Sequence, residues 1–252
     1  MSSRRELFLE EIGLTPLWRL KGTHAEERGV PEAGVQPATP PGSARTATGA
    51  GARAEGIARM DWTGLKAAVA ACTACGLRKT CKQTVFGVGD ERADWLLVGE
   101  APGAEEDARG EPFVGQAGKL LDAMLAGIGL KRGEDVYIAN VLKCRPPGNR
   151  NPEAAEVDQC APFLLRQVAL LQPRLIIAMG RFACQALLDT DASIASLRGR
   201  IHRFQGVPLI VSYHPAYLLR SLPDKAKAWE DLCFARRTMA DLRRQTLSTA
   251  TP

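Results

Sequence analysis

The chain has 252 residues, 45% of them hydrophobic and 24% charged, a globular balance that allows one good-sized domain plus extra material. Its formal net charge of +5 suits a nucleic-acid partner, while an aromatic content of 6% argues against a broad base-stacking platform. No stretch approaches the ~18 uninterrupted apolar residues of a membrane helix. Met1-Ser-Ser-Arg-Arg5 lacks the apolar run of a signal peptide, so a cytosolic setting with reduced thiols is expected. In chain order, Ser3 and Glu6 form a capping pattern ahead of Leu7, Leu9 and Ile12, and residues 14–21 read as extended. Residues 22–59, rich in Ala, Gly, Pro and Thr, bury too little surface to order themselves and are expected to be a flexible linker. A domain then runs over 60–244, with a frayed tail at 245–252. Its strands are expected at 95–99, 136–141, 175–179 and 209–212. Its helices are expected at 62–71, 115–127, 152–171, 181–188 and 224–243. Near-continuous apolar strands alternating with helices predict an α/β fold, a parallel sheet covered on both faces.

Seven cysteines are present. Cys72 and Cys75 form a Cys-x-x-Cys pair at the end of a predicted helix. Cys144 follows a strand, and Cys160 lies inside the next helix. Four thiolates are enough to close a metal site, and spacing alone does not separate zinc from iron–sulfur. Cys184 and Cys233 fall on amphipathic helices as core residues, and Cys81 lies near the four without being needed as a fifth ligand.

Parallel sheets bind ligands at the carboxyl ends of their strands. Here those ends carry Gly99-Glu100-Ala-Pro-Gly103, Asn140, Gly180-Arg181 and His214-Pro215. The glycine-rich turn is followed by Glu105, Glu106 and Asp107, which argues against a nucleotide phosphate there. Phe113, between Pro112 and the glycine at 115, can stack on a planar ligand, although a lone loop Phe is more often a hydrophobic plug. His214, fixed by a proline, suits stabilisation of a developing anion. Leu218 and Leu219, before Arg220, form either an exposed wedge with a phosphate anchor or a loop folded onto the core.

These motifs together resemble the family 4 uracil-DNA glycosylases, the iron–sulfur branch of that superfamily. The matching stretches are Cys72-Thr-Ala-Cys75, Val85-Phe-Gly-Val-Gly89, Val98-Gly-Glu-Ala-Pro-Gly103, Pro112-Phe-Val-Gly115, Asn140-Val-Leu-Lys-Cys-Arg-Pro-Pro147 and His214-Pro-Ala-Tyr-Leu-Leu-Arg220. The resemblance covers about residues 62–243 and implies a three-layer α/β/α sandwich around a four-stranded parallel sheet. It implies a [4Fe–4S] cluster held by Cys72, Cys75, Cys144 and Cys160. It implies a monofunctional enzyme acting on uracil-containing DNA in base excision repair. Gly99, Phe113 and Asn140 would hold the flipped uracil, and His214 would stabilise charge on its O2. Glu100, with Glu106 as a second carboxylate, would orient water or stabilise the sugar cation. Leu218, Leu219, Arg220 and Arg145 would meet the DNA, and the cluster would position Arg145 and residues 149–151 near it. A related branch traps uracil covalently on the histidine of an Arg-Ile-His motif. Arg200-Ile-His202 falls elsewhere in this chain, so His202 is read as an ordinary polar residue.

Residues 1–21 resemble the N-terminal peptide of the psi subunit of bacterial DNA polymerase III, which docks on the chi subunit. The shared elements are Ser-Arg-Arg, Ile12-Gly13 and Trp18 followed by basic and apolar residues. The chi subunit is therefore an expected partner, reached through a tether; the expected setting is the bacterial cytosol at the nucleoid, and a monomer is the simplest expectation. Two other functions fit parts of the sequence. A non-catalytic or redox iron–sulfur module would need the cysteines and basic charge but not Phe113, Asn140 and His214 together. A zinc-stapled hydrolase would need a second His cluster or an Asp-rich site, which the sequence lacks.

Overall fold

The computed structural model describes residues 47–249. The expected N-terminal peptide, most of the expected linker and residues 250–252 lie outside the described residues.

Helices α1 (Ala47–Ala58) and α2 (Trp62–Ala70) come first. The end of the expected linker is thus helical, which corrects the reading of 22–59 for its last stretch. Ile57 is buried, and Arg53 bonds the Gln159 carbonyl at 2.9 Å and lies 4.9 Å from the Phe163 ring centroid. These long-range contacts, not local composition, order the helix. Asp61 caps α2 by accepting from the Gly64 N–H at 2.7 Å.

The sheet comprises β1 (Val88–Gly89), β2 (Trp95–Gly99), β3 (Val136–Asn140), β4 (Leu175–Met179), β5 (His202–Phe204) and β6 (Val207–Ser212), in the order β1-β3-β2-β4-β6-β5. Strands β3, β2, β4 and β6 are mutually parallel and are the four expected from the sequence. The expectation of four strands is corrected at the edges, where β1 and β5 pair antiparallel and make six. Both edge strands are too short to show a pattern of their own. Along the chain, α3 (Ala104–Arg109) and α4 (Gln116–Gly127) connect β2 to β3, and α5 (Ala154–Leu171) connects β3 to β4. After β4 come α6 (Arg181–Leu188) and α7 (Ile194–Leu197), then α8 (Pro215–Leu218) and α9 (Asp224–Thr249) after β6. Helix α9 runs through 245–249, so the expected tail is helical there.

Successive strand side chains point to opposite faces. Leu96, Val98, Ile176, Ala178, Leu209 and Val211 face α5 and α6, packing on Leu164, Val168, Ala183 and Leu187. Trp95, Leu97, Ile177, Met179 and Ile210 face α4 and α9, packing on Leu121, Leu125, Leu232 and Met239. The result is the expected α/β/α sandwich. At the amino ends of the strands Asp94 receives Arg174 Nε at 2.9 Å and Arg243 Nη2 at 2.7 Å, which ties α9 to the base of the sheet. A third cluster joins Ile57, Leu65, Val69, Leu77, Leu142 and Phe163 to Cys81, Cys144 and Cys160.

Candidate active site

Chain order β2, β3, β4, β6 places β3 on one side of β2 and β4 on the other, so a crevice opens over the carboxyl ends at this change of direction. Gly99 and Asn140, the last residues of β2 and β3, are register partners. A Cβ on Gly99 would lie 2.5 Å from Asn140 Oδ1 and 2.6 Å from Phe113 Cζ, so only glycine leaves room for both side chains. Asn140 is 2% exposed, and its Oδ1 has no hydrogen-bond partner among the described residues. A buried acceptor without a donor costs about 1–3 kcal/mol, which a ligand N–H recovers. Below it, Lys143 Nζ donates to the Asn140 carbonyl at 2.8 Å and to Gln167 Oε1 at 2.6 Å. Burial pushes the Lys143 ammonium down to about 8.

Phe113 stands on the loop between α3 and α4 with φ of 55°, and its ring stacks on the His214 ring with centroids 5.4 Å apart. Glu106, on α3, spans this loop. Its Oε1 accepts from the N–H groups of Val114 (3.0 Å) and Gly115 (3.3 Å), and its Oε2 accepts from Gly103 N–H (3.1 Å). His214 follows β6 and caps α8, where Nδ1 accepts from the Ala216 N–H at 3.1 Å. The ring proton therefore sits on Nε2 as a donor. Burial pushes the imidazole down to about 4 against an opposing pull from Glu106, so it is neutral at pH 7. Gly180 (φ 88°) lets β4 pass closely, since a Cβ there would lie 2.8 Å from the His214 Cβ. Two residues before His214, Ser212 Oγ donates to Asp231 Oδ2 at 3.0 Å, and Arg198 also bonds Asp231, at 2.9 Å.

Glu100 sits beside these groups. Burial pushes its carboxyl up to about 7, partly offset by the charge of Arg181. Glu100, Glu106, Phe113, Asn140, His214 and Arg220 line one cleft of about 620 Å³. The structure thus brings together six of the expected site residues, with Gly99 beneath two of them. Arg181, Arg150, Tyr213 and Tyr217 also line the cleft, none of them with a role assigned from the sequence. Arg181 directly follows a β4 strand end already singled out, so a signal for it was present. Arg150, whose Nη2 bonds Glu156 Oε1 at 2.5 Å, lies in the stretch 149–151 expected near DNA, and Asn149 and Asn151 line the cleft with it. Arg145 does not line the cleft; its Nε donates to Asn149 Oδ1 at 2.7 Å. The stretch expected as an exposed wedge loop is corrected: residues 215–218 form helix α8, Leu218 is 1% exposed, and only Leu219, at 43%, is presented to solvent. Leu222, at 64%, is a second exposed leucine close by that the sequence reading did not name.

A separate pocket on the side of α2 and α5 is lined by Cys72, Cys75, Cys144 and Cys160 together with Val69, Leu142 and Phe163. Arg53 Nη2 lies 3.6 Å from Cys72 Sγ, and the Lys143 N–H donates to Cys160 Sγ at 3.3 Å. Burial pushes the Cys160 thiol up to about 11, against an opposing pull from the Lys143 charge, and pushes the Cys144 thiol well above its ordinary range. Among the described residues no three His, Cys, Asp or Glu side chains are arranged to close on a single ion. Cys184 is fully buried and donates to the Ala178 carbonyl, the expected core role. Among the described residues no helix is long and apolar enough to cross a membrane.

The sequence profile of the family described as the uracil DNA glycosylase superfamily matches residues 86–233. The type-4 uracil-DNA glycosylase of Archaeoglobus fulgidus is 48% identical over 159 residues, 60% of this chain and 79% of that protein. That of Pyrobaculum aerophilum is 42% identical over 182 residues, 69% of this chain and 92% of that protein. A type-5 uracil-DNA glycosylase of the same organism is 35% identical over 146 residues, 52% of this chain and 64% of that protein. The matched span holds every cleft residue described above. With these relatives, the chain belongs to the uracil-DNA glycosylase superfamily and is a type-4 uracil-DNA glycosylase.

Proposed function

We propose that the enzyme is monofunctional: it flips uracil from DNA, hydrolyses the N-glycosidic bond and leaves an abasic site with the strand intact. The observation that carries this reading is the orphaned Asn140 Oδ1, buried in the cleft beside a stacking ring and a neutral His214. Uracil offers N3–H to that acceptor and O4 to the amide's N–H. Cytosine presents the reverse pattern and would leave both groups unpaired, a penalty that discriminates strongly. Flipping is needed because the glycosidic bond is out of reach inside a duplex. Phe113 stacks on the extruded base, Arg220 anchors a phosphate and Leu219 fills the gap.

As the C1′–N1 bond breaks, its electron pair moves onto the uracil ring and charge gathers on O2. His214 Nε2–H donates to that oxygen. A neutral donor suits this task in a buried cleft, where an imidazolium would be costly to maintain. The Glu100 carboxylate lies beside the cationic sugar carbon and accepts a proton from water as the water oxygen joins C1′. Glu106 spends its oxygens on backbone N–H groups, so its part is to hold the Phe113 loop beside the base.

The four cysteines, Cys72, Cys75, Cys144 and Cys160, would hold a [4Fe–4S] cluster. They line one pocket, and Arg53 and the Lys143 N–H offer donors to their sulfurs, which supports a thiolate-held group there. When bound it supplies a structural tie between the end of α2 and the segment after Asn140. Mass spectrometry of a uracil-containing oligonucleotide after incubation tests the reading. It predicts free uracil and a full-length strand in which a hydroxyl replaces the base. A cleaved strand without alkali would refute the monofunctional mechanism, and an unchanged strand would refute the reading as a whole.

A further inference from the structure

Phe113 holds a backbone conformation that a bulky residue rarely adopts, with φ of 55°. Such a conformation persists only where its surroundings over-determine it. The peptide groups that follow Phe113 are held by Glu106, which accepts from the N–H groups of Val114 and Gly115. The carbonyls before and after its Cα are held by Arg132, a residue that does not line the cleft. Arg132 Nη1 donates to the Pro112 carbonyl at 2.9 Å and Nη2 donates to the Phe113 carbonyl at 2.8 Å. Arg132 Nε is itself fixed by Asp122 Oδ1 on α4, at 2.9 Å. The Phe113 carbonyl also abuts the first turn of α4, where a Cβ on Gly118 would fall 1.8 Å from it. Two of the three guanidinium nitrogens therefore donate to the backbone that aims one ring, and the third is held by Asp122.

We propose that Arg132 is a positioning residue for the reaction: its guanidinium fork locks the Phe113 backbone in its left-handed conformation and so fixes the stacking ring over the base site. The planar fork spans two successive carbonyls, which a lysine ammonium on a flexible stem cannot reproduce. Released from the fork, residues 112–114 relax toward ordinary backbone angles and the ring swings off the Gly99 floor. The proposal rests on the reading of Phe113 as the ring that stacks on uracil.

The experiment is a double-mutant cycle on single-turnover uracil excision, with R132A, R132K, F113A and R132A/F113A beside the full-length wild type and thermal unfolding recorded for each. R132A is expected to lower the single-turnover excision rate about 10- to 100-fold, in line with the roughly 10²-fold penalty of a 1 Å misplacement. R132K should restore little of it, and R132A should cost less than about 2-fold when Phe113 is already alanine. If R132A does not fold, R132K and D122N, each cycled against F113A, carry the same test. Equal losses from the Arg132 change in both backgrounds would overturn the proposal, as would wild-type excision by R132A. F113A excising at the wild-type rate would overturn the stacking role of Phe113 and the proposal with it. A slow F113A beside an unimpaired R132A would sink the proposal alone.

Discussion

Gly99→Ala isolates the contact on which the base site is built. Its φ lies outside the left-handed region, so the backbone accepts alanine. The new methyl would meet Asn140 Oδ1 at 2.5 Å and Phe113 Cζ and Cε2 at 2.6 and 2.8 Å. Carbon atoms settle about 3.5–4.0 Å apart, so the ring and the amide must each retreat by about 1 Å. Overpacking of this size costs about 1–3 kcal/mol of stability, or a few degrees in Tm per kcal/mol for a domain this long. A 1 Å displacement of a base-holding group costs about 10²-fold in rate. Gly99→Ala should therefore fold, melt slightly earlier and excise uracil about two orders of magnitude more slowly. Single-turnover excision from a labelled single strand, with thermal unfolding of the same sample, measures both. A folded Gly99→Ala protein that excises at the wild-type rate would refute the placement of Asn140 and Phe113 against the base.

Glu100 titrates at about 7 because it is buried, so excision should climb as pH rises through that value, and Glu100→Gln should abolish this acid limb with most of the rate. The same shift has a stability signature. A carboxyl raised from 4.5 to about 7 stabilises the fold fully below 4.5 and loses that contribution as pH rises through about 7, so Glu100→Gln should melt above wild type at about pH 8 and converge with it at about pH 5; the reverse order in a melting series would contradict the burial argument. Leu218→Ala, at a buried position, should cost about 2–5 kcal/mol. Leu219→Ala should leave Tm unchanged and slow excision from duplex more than from single strand, and equal slowing on both substrates would remove it as a wedge. Cys144→Ser should lose iron and melt earlier, whereas Cys184→Ser, whose side chain meets only the Ala178 carbonyl and the core, should keep full iron by elemental analysis.

The central sheet was legible because its strands are continuous apolar runs: Leu96-Leu97-Val98 and Ile176-Ile177-Ala178 are buried on both faces, and only a parallel sheet under two helical layers does that. Helix α5 was legible despite Pro162 because its apolar period continues across the proline. Helix α1 was not, because Ile57 is its one large apolar residue and its order comes from Arg53 reaching Gln159 and Phe163, over a hundred positions away. Strands β1 and β5 owe their pairing to neighbours already in the sheet. Site residues at strand ends, Glu100, Asn140 and His214, were legible because topology alone gathers them. Arg132 and Lys143 were not assigned, since a guanidinium fork on two carbonyls and a buried ammonium under Asn140 exist only after folding. The wedge was half legible: the leucine pair stood out, but which leucine faces solvent depends on the single turn of α8.

The most direct test of the account is excision from an end-labelled uracil oligonucleotide by wild type and Asn140→Ala, each sampled with and without hot alkali. The account predicts that wild type gives a break at the uracil only after alkali, that a cytosine control stays whole, and that Asn140→Ala loses most of the product. Cleavage without alkali, or full product from Asn140→Ala, would contradict it.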